Sequence, residues 1–336
     1  MIKEATEKIL KKHDLSPPEM EGVFEEIMNG DAAKDDVKGF LVSLAAKGES
    51  PEEIASAAAV MRRKAVRVAV SPEKLIDTCG TGGARVSDVN VSTISAVVLA
   101  GCGLRVAKHG NRSFTGKCGS ADLLEALGVN IDQKPERVAE FIEKIGIGFM
   151  FAPNFHPAMK NVMEARRELK ARTIFNILGP LSNPAGVKMQ IIGVYKPELT
   201  EIMAEALNRL GSEKAYVVHG LAGLDEISIK GETKISELKD GKITTYRLTP
   251  GDFGIEEGPL EEIIGGLPAH NADIALAVLN GQKNAVRNMV LLNAAAALKM
   301  AGKVSDFQNG VKAARESIDS GRALGKLNAL KDMSSK

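Results

Sequence analysis

Tryptophan is absent from the 336-residue sequence, and aromatic residues amount to only 4% of it. A supply that sparse argues against a platform of rings on which the bases of a single strand could stack. An excess of either charge is also lacking, since 44 Lys and Arg face 43 Asp and Glu for a formal net charge of +1. Holding nucleic acid by bulk attraction to its phosphates needs a positive surplus, so that partner class is excluded. Cysteine is scarce: Cys79, Cys102 and Cys118 form no Cys-x-x-Cys pair and have no histidine at zinc-ligand spacing. Neither a disulfide framework nor a zinc site is expected. No uninterrupted stretch of 18 apolar residues occurs, and residues 1–14 are a charged amphipathic segment. The expectation is a soluble, cytoplasmic protein that makes no contact with a membrane. Internal repeats and low-complexity tracts are missing as well.

What the chain does contain is an ordinary globular mixture, 44% hydrophobic and 26% charged. That suffices for a substantial core, in two domains or one large α/β domain. Residues 1–66 carry helical periodicity alone. Ile2, Ala5, Ile9 and Leu10 mark one face, while Ser16-Pro17-Pro18-Glu19 and Ser50-Pro51-Glu52-Glu53 have the form of capping boxes that open further helices. A small all-helical domain therefore leads the chain.

From residue 74 the period changes. Strands are expected at 74–78, 104–107, 147–151, 190–194 and 215–219, and helices at 92–101, 120–127, 135–145 and 197–210. This alternation predicts a larger α/β domain, residues 74–336, with a central, mostly parallel sheet flanked by helices on both faces. The segments 227–230, 233–238 and 242–248 read as an antiparallel excursion, after which the chain is helical again. Residues 173–184 contain two X-Pro breaks and read as a crossover rather than a core element. Together with the rest of 165–185 this crossover is expected to complete the helical domain, leaving a cleft between the two where ligands prefer to sit.

Three clusters carry chemistry. Gly80-Thr81-Gly82-Gly83 follows a predicted strand, and Asn90-Val91-Ser92-Thr93 opens the next helix. Glycines let a backbone approach a ligand, their amides can form an anion nest, and the polar trio can add side-chain bonds at a helix N-terminus; a purely structural turn would need the same glycines. Lys108-His109-Gly110-Asn111-Arg112, with the loop 115–122 behind it, follows the next strand. Parallel strands would bring it to the same sheet edge and create an electropositive cavity. Taken singly, Lys108 and Arg112 better suit a solvated loop face, and His109 a structural hydrogen bond. Asp225-Glu226 lies at a turn after the strand ending at His219. It could hold Mg²⁺ through oxygens and water, or be a charged surface turn unless it faces the two phosphate loops.

These motifs, with Gly119-Ser120-Ala121-Asp122, His156-Pro157-Ala158-Met159-Lys160 and the run from Asn176 to Pro184, resemble the anthranilate phosphoribosyltransferase family of tryptophan biosynthesis, in order from about residue 77 to 230. The resemblance implies the fold of the class III phosphoribosyltransferases, similar to pyrimidine nucleoside phosphorylases, and a homodimer formed through the helical part. It also implies Mg²⁺-dependent transfer of the phosphoribosyl group of 5-phosphoribosyl 1-pyrophosphate to the amine of anthranilate. By that resemblance Gly80, Thr81, Gly82 and Gly83, with Asn90, Ser92 and Thr93, hold the diphosphate and one Mg²⁺, for which Ser92 is a ligand. Lys108 and Ser120 contact the phosphates under a closing 115–120 loop, and Asp225 and Glu226 bind a second Mg²⁺. His109, Asn111, Arg166 and the Gly179-Pro180 turn line the acceptor site, with Arg166 opposing the carboxylate. A glutamine amidotransferase subunit is a further partner the family suggests.

The chemistry suits these residue types. An aromatic amine is largely unprotonated at neutral pH and needs no strong base, so His109 positions the acceptor instead of taking its proton. Ala84-Arg85 departs from the family's Asp-Gly, Asp88 stands where Thr is common, and Cys118 where a hydroxyl is common. The first difference implies altered Mg²⁺ organisation or a differently charged donor, and Asp88 could partly replace the lost carboxylate. The alternative is a paralogous phosphoribosyltransferase or a nucleoside phosphorylase with another acceptor or donor; a carboxylate-facing Arg166 favours the transferase.

Overall fold

The computed structural model describes residues 1–86, 89–113 and 116–335. Helices α1 (Ile2–Leu10), α2 (Pro17–Asn29), α3 (Lys34–Lys47) and α4 (Pro51–Lys64) form the leading unit. Both serine-proline starts are capping boxes, pairing Ser16 with Glu19 and Ser50 with Glu53. Apolar residues three and four apart, such as Met20, Val23, Phe24 and Ile27 on α2 and Val37, Phe40, Leu41 and Leu44 on α3, are all buried, so the amphipathic faces close on one another.

The chain then alternates. Strand β1 (Leu75–Gly80), helix α5 (Val91–Gly101), strand β2 (Arg105–Gly110), helices α6 (Ser120–Ala126) and α7 (Pro135–Ile145) and strand β3 (Ile147–Phe151) follow in turn. The short α8 (Ala152–Phe155) leads to α9 (Lys160–Leu169) and α10 (Phe175–Leu181). The return to the sheet runs through β4 (Met189–Gly193), α11 (Leu199–Arg209), β5 (Lys214–Gly220), β6 (Thr233–Lys239) and β7 (Lys242–Leu248). Helices α12 (Pro268–Leu279), α13 (Ala285–Met300), α14 (Phe307–Asp319) and α15 (Arg322–Ser334) finish the chain. The seven strands lie in the order β3-β2-β1-β4-β5-β6-β7. The first five are parallel and the last two antiparallel, which is the mostly parallel sheet expected. Helix α5 is apolar almost all round because it packs against the sheet, α13 and α15 at once.

Three expectations are corrected. Residues 173–184 are a core element and not only a crossover: α10 buries Phe175, Ile177, Leu178 and Leu181 in the same apolar core as α2, α3 and α4, and α9 packs on α2 and α3. Residues 227–230 are not a strand, because the Asn293 side chain on α13 takes the strand partner's place. Its Oδ1 accepts from Ile227 N at 3.0 Å and its Nδ2 donates to Ile227 O at 3.1 Å. Finally, β2 extends through Gly110, so Lys108 and His109 are buried strand residues rather than loop residues.

Candidate active site

Strands β1, β2 and β4 run parallel, so their carboxyl ends share one sheet edge. The turn at Asp225 presses onto that edge. A Cβ at Gly193 would lie 1.5 Å from the Asp225 carbonyl oxygen, and one at Gly80 would lie 2.7 Å from its Oδ2, so only glycines leave room for the turn. Beyond Gly80 the chain turns back through Gly82 (φ +65°) and Gly83 (φ +72°), left-handed positions that favour glycine. The Gly82 amide donates to Asp225 Oδ2 at 2.9 Å, and the Ser92 amide in the first turn of α5 donates to Glu226 Oε1 at 3.0 Å. A third tie, from Val86 N to Gly223 O at 3.0 Å, fastens the same two turns. From β2, Lys108 is 3% exposed and donates its Nζ to Thr78 O at 2.6 Å, with Ser92 Oγ at 3.5 Å. The turns at 80 and 225 thus meet Lys108 of β2 in one place, with Glu226 buried and Asp225 half-buried, not forming a surface turn.

The electrostatics are those of a charged-ligand site. Helix N-termini and glycine-rich nests bind anions, and here each holds a carboxylate of the protein's own. Burial raises the Asp225 carboxyl above its ordinary range, which marks a charge kept from solvent. Two carboxylates and the Ser92 hydroxyl are all oxygen donors, the set a hard cation such as Mg²⁺ prefers. Among the described residues no group of three or more His, Cys, Asp or Glu gathers to cage a metal.

Some expected donor contacts are redirected. The Asn90 side chain makes no bond to its helix: its Oδ1 accepts from Asn271 at 2.9 Å and its Nδ2 donates to Cys118 O at 3.0 Å. Thr93 is buried beside a small internal cavity, and its hydroxyl has no hydrogen-bond partner among the described residues. Arg112 is tied to Asp122 at 3.0 Å and to Glu125 on α6, and does not serve as a cation of the cavity. Ser120 is half-buried, with its hydroxyl 3.3 Å from Asn111 O, and burial pushes the Cys118 thiol up to about 11, which removes it as a nucleophile. Asp88 and Thr115 lie outside the described residues.

Successive strand residues point to opposite faces, so His109 leaves Lys108 and turns toward α10. Its ring lies 5.0 Å from that of His156, and Nε2 of both is buried with no partner among the described residues. Burial holds His109 well below its ordinary pKa, outweighing a backbone contact from Gly179 that acts the other way. Burial likewise lowers His156 to about 4. Both rings are neutral at pH 7. Gly179 and Pro180 sit inside α10 rather than in a turn, and a Cβ at Gly179 would meet nothing within 4 Å, which leaves open space beside the rings. Arg166 on α9 is half-buried with its guanidinium 5.4 Å from the Phe175 ring centre. Asn111 is exposed at the end of β2, its Oδ1 accepting from Arg112 N.

A histidine with a depressed folded pKa binds its proton more readily in the unfolded chain. Its contribution to stability is intact above the unfolded value near 6.5 and is lost as pH falls towards about 4. Urea unfolding of the wild type should lose about 3 kcal/mol over that window through His156 alone. The His156→Gln variant should lack that share, and an identical pH profile for both would contradict a buried neutral ring.

Sequence reading missed three contributors. Arg172, between α9 and α10, donates to Gly83 O and stacks 4.1 Å from the Tyr195 ring centre, bonding the acceptor segment to the glycine turn. Buried Asp77 accepts from Asn183 Nδ2 at 2.8 Å and from His109 N at 3.4 Å. Asn271 is the third. His156 had been visible only as part of a motif.

Residues 72–324 match the α/β domain of a glycosyl transferase family, and residues 3–65 match its helical bundle domain. The chain is 52% identical over 336 residues to the anthranilate phosphoribosyltransferase of Persephonella marina, covering 99% of each. Among solved structures it is similar to anthranilate phosphoribosyltransferase from Thermus thermophilus, with a TM-score of 0.93, 43% identity and 99% of each chain covered. It is also similar to the Saccharomyces cerevisiae enzyme in complex with PRPP and Mg, with a TM-score of 0.91, 30% identity and coverage of 99% and 98%.

Proposed function

Because this chain belongs to the anthranilate phosphoribosyltransferase family and so transfers the phosphoribosyl group of 5-phosphoribosyl 1-pyrophosphate to anthranilate, we propose that the donor is held where the 80 and 225 turns meet Lys108 of β2 and the acceptor where β2 faces α10. The observation that carries this is the pairing of the Gly82 and Ser92 amides with Asp225 and Glu226. Anion-binding donors and cation-binding acceptors from distant parts of the chain stand within hydrogen-bond reach of each other.

Breaking the ribose C1–oxygen bond leaves positive charge on the sugar and negative charge on the diphosphate. The Gly82 and Ser92 amides and the Lys108 ammonium, which here bind Asp225, Glu226 and the Thr78 carbonyl, would exchange those partners for diphosphate oxygens and so stabilise the leaving group. Asp225 and Glu226 would hold Mg²⁺, which would supply further positive charge beside the diphosphate. Ser92 would help hold a second Mg²⁺, to which Ala84 offers no ligand. Ser120 and the backbone at Thr81 and Gly83 complete the donor side, and Asn90 and Thr93 serve by shaping it.

On the other face the neutral rings of His109 and His156 and the α10 backbone at Gly179 and Pro180 orient anthranilate, while Asn111 closes the end of β2. Arg166 opposes the carboxylate. The amine attacks C1 opposite the leaving group, with inversion, and then loses its proton to solvent. Dimerisation through the helical unit, where Leu10 and Val42 are exposed, is part of the same proposal. So are a cytoplasmic location and association with a glutamine amidotransferase subunit; no helix among the described residues is long and apolar enough to cross a membrane.

Loss of anthranilate fluorescence in the presence of donor, followed across a Mg²⁺ titration, tests the proposal. Turnover should require Mg²⁺, and Ala84→Asp should lower the concentration giving half-maximal rate. Absence of turnover at every Mg²⁺ level would overturn the assignment, and an unaltered profile in the variant would remove position 84 from metal binding.

A further inference from the structure

We propose that Asn271, on α12, is a positioning residue of the donor site that acts through Asn90 on the loop ending at Ser120. It rests on the donor placement given above. Asn271 is 1% exposed and lies far from the glycine turn in sequence. Its Oδ1 accepts from Gly266 N at 2.7 Å, and its Nδ2 donates to Asn90 Oδ1 at 2.9 Å. Asn90 in turn donates its Nδ2 to Cys118 O at 3.0 Å.

A side-chain amide has distinct ends, an acceptor and a donor. The Gly266 N–H fixes which end of Asn271 is which, and Asn271 thereby fixes Asn90. If Asn90 were flipped, its NH₂ would face the Asn271 NH₂ and its oxygen would face the Cys118 carbonyl, two repulsive contacts in place of two bonds. The polarity therefore passes from the 264–267 segment, through α12 and the residue that opens α5, to the Cys118 carbonyl. Cys118 stands two residues before Ser120 in the loop whose other end is held where Asp122 Oδ2 accepts from Gly119 N at 2.8 Å and Ser113 N at 3.0 Å. The relay ties two donor loops that share no strand, and it turns the Asn90 side chain away from its own helix, to which it makes no bond.

Asn271→Asp separates orientation from packing. The carboxylate keeps the side chain's size and still accepts from Gly266 N, but it cannot donate to Asn90. Two measurements are made on the full chain: steady-state KM for each substrate at saturating Mg²⁺, and amide hydrogen exchange of the free protein. The donor KM should rise about tenfold, the value of one buried hydrogen bond, with the anthranilate KM within about twofold of the wild type. Amides of residues 116–119 should exchange about tenfold faster in Asn271→Asp and in Asn90→Ala, and no faster in the double variant than in Asn90→Ala alone. Effects that multiply in the double variant overturn the relay. So does wild-type exchange in Asn90→Ala, which alters a half-buried residue and carries the test if Asn271→Asp does not fold. Faster exchange with an unchanged donor KM overturns instead the placing of the donor beside Asn90.

Discussion

Replacing Asp225 by Asn should lower kcat/KM for the donor by about 100- to 1000-fold, with Glu226→Gln showing a loss of similar order. The substitution removes charge but keeps shape. An Asn oxygen at this position still accepts from Gly82 N, and Gly80 and Gly193 still admit the turn, so the sheet edge stays folded. What disappears is one negative charge of the pair that would hold Mg²⁺. Steady-state rates over a Mg²⁺ series, alongside thermal unfolding to confirm the fold, check the outcome. A fall of less than about threefold in a folded variant would show that the turn is structural only.

Arg166→Ala should raise the anthranilate KM by about 10- to 100-fold, the value of a charge-assisted hydrogen bond, and leave the donor KM within about twofold. Burial lowers the Arg166 pKa below its ordinary value; a guanidinium stays charged in proteins, and in this half-buried setting an opposing carboxylate is worth most. The separation of the two constants is the point of the test. An equal rise in both would mean that α9 supports the whole cleft and does not read the acceptor.

Much of the architecture was legible because local signals agreed with tertiary packing. The helix Pro135–Ile145 and the strand Ile147–Phe151 match the expected bounds: a proline opens the helix, glycine at 146 takes the left-handed cap, and an apolar run follows. The crossover was misread because Pro180 and Pro184 look like breakers. In a helix of seven residues Pro180 forfeits few bonds, and burial of Phe175, Ile177, Leu178 and Leu181 outweighs them. Residues 227–230 looked like a strand because they are apolar, yet their partner is a side chain on α13, a contact no sequence window contains. At the site, the glycine turn, Lys108 and Asp225-Glu226 were found through residue type and spacing. Arg112 takes the solvated loop face that was its alternative, exposed and held by Asp122 and Glu125 on α6. Asp77, Arg172 and Asn271 gave no signal, since each acts through long-range bonds, such as Asn271 to Asn90 across 181 residues.

Crystals grown with 5-phosphoribosyl 1-pyrophosphate and Mg²⁺ bear most directly on whether one pocket unites the 80 and 225 turns and Lys108 around the diphosphate. The expected density has diphosphate oxygens against the Gly82 and Ser92 amides and Lys108, with metal at Asp225 and Glu226. Donor density on another face of the molecule, with those residues left as they stand now, would contradict it.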